Sequence, residues 1–182
     1  MIHDGPAAVL NFVSAGLVLG VPVKSERLLE FASQPCKFTR QDFEPGHFTA
    51  SAVLADGAAN RVFLIHHPKI ERWLQPGGHI EAEDASVAAA AAREAEEETG
   101  FRLDRAAAVP VALSIHRIAA WGREPSHLHL DLQFLFRLAV GSSRSDAELG
   151  GRWFSLDSPE AAGAFEHTRE RIELLLQVDR NG

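Results

Sequence analysis

Between Gly77 and Phe101 the chain reads Gly-Gly-His-Ile-Glu-Ala-Glu-Asp-Ala-Ser-Val, five alanines, then Arg-Glu-Ala-Glu-Glu-Glu-Thr-Gly-Phe. This stretch restricts the fold more than any other. Ser86 is a good N-cap, the alanine block propagates helix, and Gly100 stands where a left-handed C-terminal cap is expected. On that helix Glu94, Glu97 and Glu98 fall at i, i+3 and i+4 and project from one face within about one turn. Like charges so spaced repel by a few tenths of a kcal/mol per pair, so three of them beside a glycine turn suggest a bound cation. Hard oxygen ligands favour Mg2+ or Mn2+ over zinc. The plainer reading is a solvated acidic helix face. Against it stand Gly77-Gly78, delivered by Trp73-Leu74-Gln75-Pro76, and Arg93, placed to orient Glu94 and Glu97.

The run from Arg93 to Phe101 resembles the second half of the Nudix box: Arg-Glu, an apolar residue, any residue, Glu-Glu, any residue, Gly, an apolar residue. Every fixed position matches. The first half departs from the pattern. Five residues lead from Gly78 to Asp84 where the family has Glu, and eight rather than seven lead from there to Arg93; counted backwards, the family's Glu falls on Ala85. A bulged loop before Ser86 lets the shorter, displaced acid reach Arg93. The resemblance implies an α/β/α sandwich with a mixed sheet and hydrolysis of a nucleoside diphosphate linked to another group. By the same resemblance Glu97 and Glu98 are metal ligands and Glu94 is a ligand or the carboxylate that accepts the water's proton. The Gly77 carbonyl is a further ligand, and Arg93 an orienting partner. The family draws its base from more than one place, and Glu148, ahead of Arg152-Trp153-Phe154, is the candidate outside the box. Glu81 and Glu83 read as loop acids.

With 182 residues and 46% hydrophobic content, the chain suffices for one substantial core. Its net charge of −7 opposes binding to a nucleic acid duplex and leaves a polyphosphate substrate dependent on a metal. The single Cys36 forms no internal disulfide and points to a reducing cytoplasm. The apolar run from Ala7 to Val23 is too short and interrupted to span a bilayer.

Residues 1–46 are expected to form a helical extension, with amphipathic helices over Pro6–Leu19 and Ser25–Ser33, that packs on the core or forms a homodimer surface. Residues 47–182 are expected to form the catalytic unit. In that unit strands are predicted over His47–Leu54 and Arg61–His67, a hairpin turned at Asp56-Gly57, then over Trp73–Gln75, Val109–Ile118, Leu128–Leu138 and Arg152–Leu156. A closing helix is predicted within Ser158–Val178, with Ile172, Leu175 and Leu176 at core spacing. The alanines at 88–92 suit close packing of helix on sheet.

A second constellation is His127-Leu128-His129-Leu130-Asp131. On a strand the two imidazoles and the carboxylate share one face, as a transition-metal site, a wall contacting substrate, or a polar outer face. Arg72, with His66, His67 and Lys69, reads either as a further phosphate contact or as a strand end facing solvent. Trp73, Trp121 and Trp153 are stacking surfaces or core. The function expected is a divalent-metal-dependent pyrophosphohydrolase acting on a small nucleotide or polyphosphate; the alternative is a non-catalytic nucleotide-binding or regulatory module on the same fold.

Overall fold

The computed structural model describes residues 4–56, 58–138, 142, 144 and 147–178. Its organising strand is β2 (Gly46–Asp56), buried along its whole length. A strand buried on both faces carries no simple polar alternation. Phe48, Ala50, Ala52 and Leu54 join one apolar cluster, while Val53 and Ala55 join another on the opposite face. His47, Thr49 and Ser51 share the second face by parity.

Around β2 lies an eight-stranded mixed sheet in the order β1-β6-β7-β2-β3-β4, with β5 paired to β2 and β8 to β3. The remaining strands are β1 (Val18–Gly20), β3 (Arg61–His67), β4 (Arg72–Leu74), β5 (Gly77–His79), β6 (Val109–Ile118), β7 (His127–Arg137) and β8 (Gly151–Ser155). β2 runs parallel to β7 from Gly46↔Leu128 to Ala55↔Arg137, which sets His47 beside His129 and Thr49 beside Asp131. The expected β2–β3 hairpin is present, with Leu54 opposite Phe63; its Gly57 lies outside the described residues.

Helix α3 (Val87–Thr99) forms where the sequence indicates. The Ser86 side chain accepts the Ala89 N–H at 3.0 Å, and Gly100 caps the far end at φ 74°. Its buried alanines meet Ala50 and Ala52 in one cluster, small residue against small residue, so the helix lies close on the sheet. α1 (Gly5–Ser14) and α2 (Ser25–Ala32) share that face. Phe12 meets Phe134 edge-on at 5.4 Å. Asp4 ties the extension to α3 by accepting the Val87 N–H at 3.0 Å.

Two expectations are adjusted. The first helix stops at Ser14 because Gly16 turns at φ +67°, and residues 18–20 become β1, parallel to β6. The closing helix divides into α4 (Pro159–Ala164), capped by Ser158, and α5 (Arg169–Val178). Phe165 leaves helical geometry at φ −121°, ψ 33° to bury its ring. Ile172 and Leu176 then seal the second face with Leu64 and Leu135. Burying each such side chain stabilises the fold by roughly 1.5–3 kcal/mol.

Candidate active site

The acids of α3 gather at its C-terminal half, against β5. Glu98 accepts the backbone N–H of Gly77 at 2.9 Å. At Gly78 a Cβ would lie 2.6 Å from a Glu94 carboxylate oxygen, so the absence of a side chain here lets Glu94 rest directly against the strand. Glu97, about half exposed, stands one turn on. Glu96, between them in sequence, faces elsewhere: it accepts the Leu103 N–H and pairs with Arg105 at 2.8 Å, stapling the chain after the helix.

Arg93 organises the set. Its Nε and Nη2 donate to the two oxygens of Asp84 at 3.0 and 3.1 Å, Nη1 donates to Glu94 at 3.0 Å and Glu97 at 3.3 Å, and Nη2 also reaches the His79 carbonyl at 2.9 Å. Asp84 reaches this position because residues 81–85 form a turn in which its carboxylate also accepts the Glu81 N–H. The extra residue of the box is thus absorbed in the loop, and the shorter acid meets the arginine as a two-pronged brace.

Burial is the main force on these acids. It raises Glu98 to about 7 despite the Gly77 N–H, and the neighbouring charges of Glu94, Glu148 and Glu97 push the same way. Glu94 is likewise raised by burial, with Arg93 opposing. Burial acts to lower Arg93, but Asp84 and Glu94 together hold it above its ordinary range. One guanidinium among Asp84, Glu94, Glu97 and Glu98 leaves an excess of negative charge. With the Gly77 carbonyl this is an oxygen donor set suited to a hard divalent ion.

Glu148 arrives from the distant loop by backbone pairing. Its N–H donates to the Glu97 carbonyl at 3.0 Å and that of Leu149 to the Glu98 carbonyl at 3.2 Å, satisfying carbonyls in the helix's last turn. Its side chain is exposed and close enough for Glu98 to feel its charge.

His127, His129 and Asp131 lie on the sheet face opposite α3. Asp131, 4% exposed, accepts from Thr49 at 3.0 Å, from Ser51 at 2.8 and 2.9 Å, and from the Gln133 amide at 3.2 Å. The two histidines join His47, with ring centres 4.9 to 5.1 Å apart, and His79 stands 5.2 Å from His47 and 5.6 Å from His129. Burial, reinforced by the other imidazoles, lowers His129 to about 2 and His79 to about 4. Burial lowers His47 as well. These three rings are therefore neutral near pH 7. Arg72 stands apart, exposed on β4 opposite His67, its side chain in no hydrogen bond or ion pair among the described residues. Trp121 is 67% exposed, whereas Trp73 and Trp153 are half-buried.

Sequence reasoning missed His47, His79, Thr49 and Ser51. Their signal was present as the alternation 47, 49, 51 matching 127, 129, 131, but only the β2–β7 register brings the two series together. An apolar cavity of about 410 Å³ on the opposite face, walled by Leu28, Phe31, Leu128 and Leu130, explains where the intervening leucines turn.

A NUDIX domain profile matches residues 45–175. The chain belongs to the NUDIX family. It is a pyrophosphohydrolase, an enzyme of phosphoanhydride bonds. The E. coli dihydroneopterin triphosphate pyrophosphohydrolase superposes with a TM-score of 0.51 at 16% identity, over 71% of this chain and 94% of that one, a likeness of fold alone. The MutT NUDIX hydrolase from Burkholderia pseudomallei gives a TM-score of 0.47 at 22% identity, over 69% and 95%. A NUDIX-family hydrolase from Clostridium perfringens gives 0.47 at 21%, over 72% and 97%. No curated protein matches the chain.

Proposed function

We propose that the protein is a divalent-metal-dependent hydrolase that cleaves the pyrophosphate bond of a nucleoside diphosphate linked to another moiety. The observation carrying this reading is the packing of β5 on α3: Glu98 holds the Gly77 amide, Gly78 abuts Glu94, and Arg93, braced by Asp84, spans Glu94 and Glu97.

Glu94, Glu97, Glu98 and the Gly77 carbonyl would hold Mg2+ or Mn2+. When bound, such an ion neutralises phosphate oxygens and lowers the pKa of water beside it. The chain's own groups do the rest. Glu94 or the exposed Glu148 takes the proton of the attacking water, and Arg93 keeps the Glu94 and Glu97 carboxylates aligned. The polar face with His127, His129 and Asp131 receives the remainder of the substrate, with Arg72 as an outlying phosphate contact. A surplus of acid makes the metal a requirement for approach of a polyphosphate.

Among the described residues no helix is long and apolar enough to cross a membrane. The exposed thiol of Cys36 suits a reducing cytoplasm, and exposed Leu10, Val21 and Val23 give the N-terminal extension a surface for a homodimer. The test is phosphate release from dinucleotides, sugar nucleotides and nucleoside triphosphates with Mg2+ or Mn2+, comparing the parent with Glu97→Gln. Hydrolysis by the parent alone supports the enzyme reading. A parent no faster than the variant across the panel turns it to a nucleotide-binding module.

A further inference from the structure

We propose that His47, His127 and His129 form a transition-metal site of zinc type, with a coordination position left open, separate from the carboxylate site. One ring nitrogen from each histidine lies within 4.8 Å of the others. A tetrahedral ion with metal–nitrogen bonds of about 2.0–2.1 Å needs its nitrogens roughly 3.3 Å apart. The rings must therefore close by about 1.5 Å at most, within the reach of small side-chain rotations.

The ring orientations are set for this. The Asp42 carbonyl bonds Nδ1 of His47 at 2.9 Å and the Pro125 carbonyl bonds Nδ1 of His127 at 2.7 Å. A carbonyl only accepts, so the neutral form of either ring carries its proton on Nδ1 and leaves the Nε2 lone pair free to ligate. A carbonyl on the far nitrogen is the usual outer support of a metal-ligating histidine. His47 is 0% exposed and its Nε2 has no hydrogen-bond partner, an orphaned acceptor among other imidazoles. Buried acceptors of this kind are rare without a function.

The surroundings suit nitrogen ligation. Phe43 covers His127 at 4.9 Å, and the Arg40–Glu124 ion pair, at 3.1 Å, joins the loop before β2 to the loop before β7. His79 and Asp131 stand on the same face but outside the set of three. Three imidazoles select Zn2+, or a similar ion such as Co2+, whereas Mg2+ and Mn2+ prefer the oxygens of α3. Three protein ligands with one open position is the pattern of a site that meets water or substrate.

The site shares His127 and His129 with the proposed substrate face but none of the carboxylates that carry the hydrolase reading, and it is tested apart from them. The full-length protein, stripped of metal by chelation, is titrated with Zn2+ and separately with Co2+ in excess Mg2+, which occupies the carboxylates. The expected result is uptake of one equivalent, with the intense visible absorption of four-coordinate Co2+. His127→Gln combined with His129→Gln should weaken uptake at least about a hundredfold, while Glu97→Gln combined with Glu98→Gln should leave it unchanged. Should the histidine variant fail to fold by near-ultraviolet circular dichroism, the Co2+ spectrum of the parent decides. A weak six-coordinate spectrum overturns the proposal, as does uptake that survives in the histidine variant. Mg2+-dependent turnover by zinc-free protein that takes up no zinc overturns this site alone and leaves the hydrolase standing.

Discussion

The acids around α3 and the imidazoles on the opposite face are two clusters of like groups, stabilised in different ways. The acids keep a counter-ion within the chain: Arg93, buttressed by Asp84, offsets part of their charge, and Glu97 remains open to solvent. Among the described residues the imidazoles have no ion-pair partner. Burial disfavours charge on His47, His79 and His129, which limits mutual repulsion and leaves an unpaired buried nitrogen on His47. The lesson is that a cluster of charge advertises its need for a cation locally, whereas a cluster of neutral donors shows its need only in unsatisfied atoms.

The largest effect should fall on chemistry. Glu98→Gln keeps the size of the side chain and removes its charge, and should lower Mg2+-dependent turnover at least about a hundredfold in steady-state kinetics. Intact turnover would leave the acid cluster merely structural and break the contrast.

Next come the two glycines. A Cβ at Gly77 would meet the Ser51 backbone at 2.6 Å and the Ala50 carbonyl at 2.7 Å, at φ +157°, so Gly77→Ala should destabilise by about 2–3 kcal/mol in urea unfolding. Gly78→Ala meets the movable end of Glu94 instead and should spare stability while reducing turnover. Equal behaviour of the two would show that the carboxylate is not free to yield.

Asp84→Asn should destabilise by about 2 kcal/mol in thermal unfolding, since it leaves the Arg93 guanidinium without its two-pronged partner. A shift near zero would mean that Glu94 and Glu97 suffice to hold the arginine.

The smallest effect concerns the acid dependence that lies outside both sites. The Asp56 carboxylate is held below its usual range chiefly by the Arg61 guanidinium, at 2.7 Å. A folded pKa below the unfolded one makes this stabilisation present above about pH 4 and lost as pH falls through the folded value. Arg61 is 43% exposed, so the pair contributes about 1 kcal/mol or less. Asp56→Asn should lower stability at pH 7 and change nothing near pH 2, isolating the background against which both clusters are measured.

The clustering of the acids was legible in the sequence because they lie within one helix and the turn before it, where residue spacing maps directly onto space. Ser86, Gly100 and the stripe 94, 97, 98 all behave as local rules require. The histidine site was half visible: the 127, 129, 131 alternation is local to β7, but His47 joins it only through a parallel pairing across about eighty residues. No local rule reports such a register. The end of the first helix was misplaced because packing on β6 draws residues 18–20 into the sheet, and the closing helix was over-extended because Phe165 finds its place in the core only by leaving helical geometry.

Gly77 and His79 turn toward Ser51 and the imidazoles, while Gly78 turns toward Glu94, so a three-residue strand serves two neighbours by alternation. Adding or deleting a single amino acid there would exchange what each side receives and damage both together. Length variation in this part of the chain is therefore tolerable only downstream, in the turn at 81–85, which is where the extra residue of the box has been accommodated.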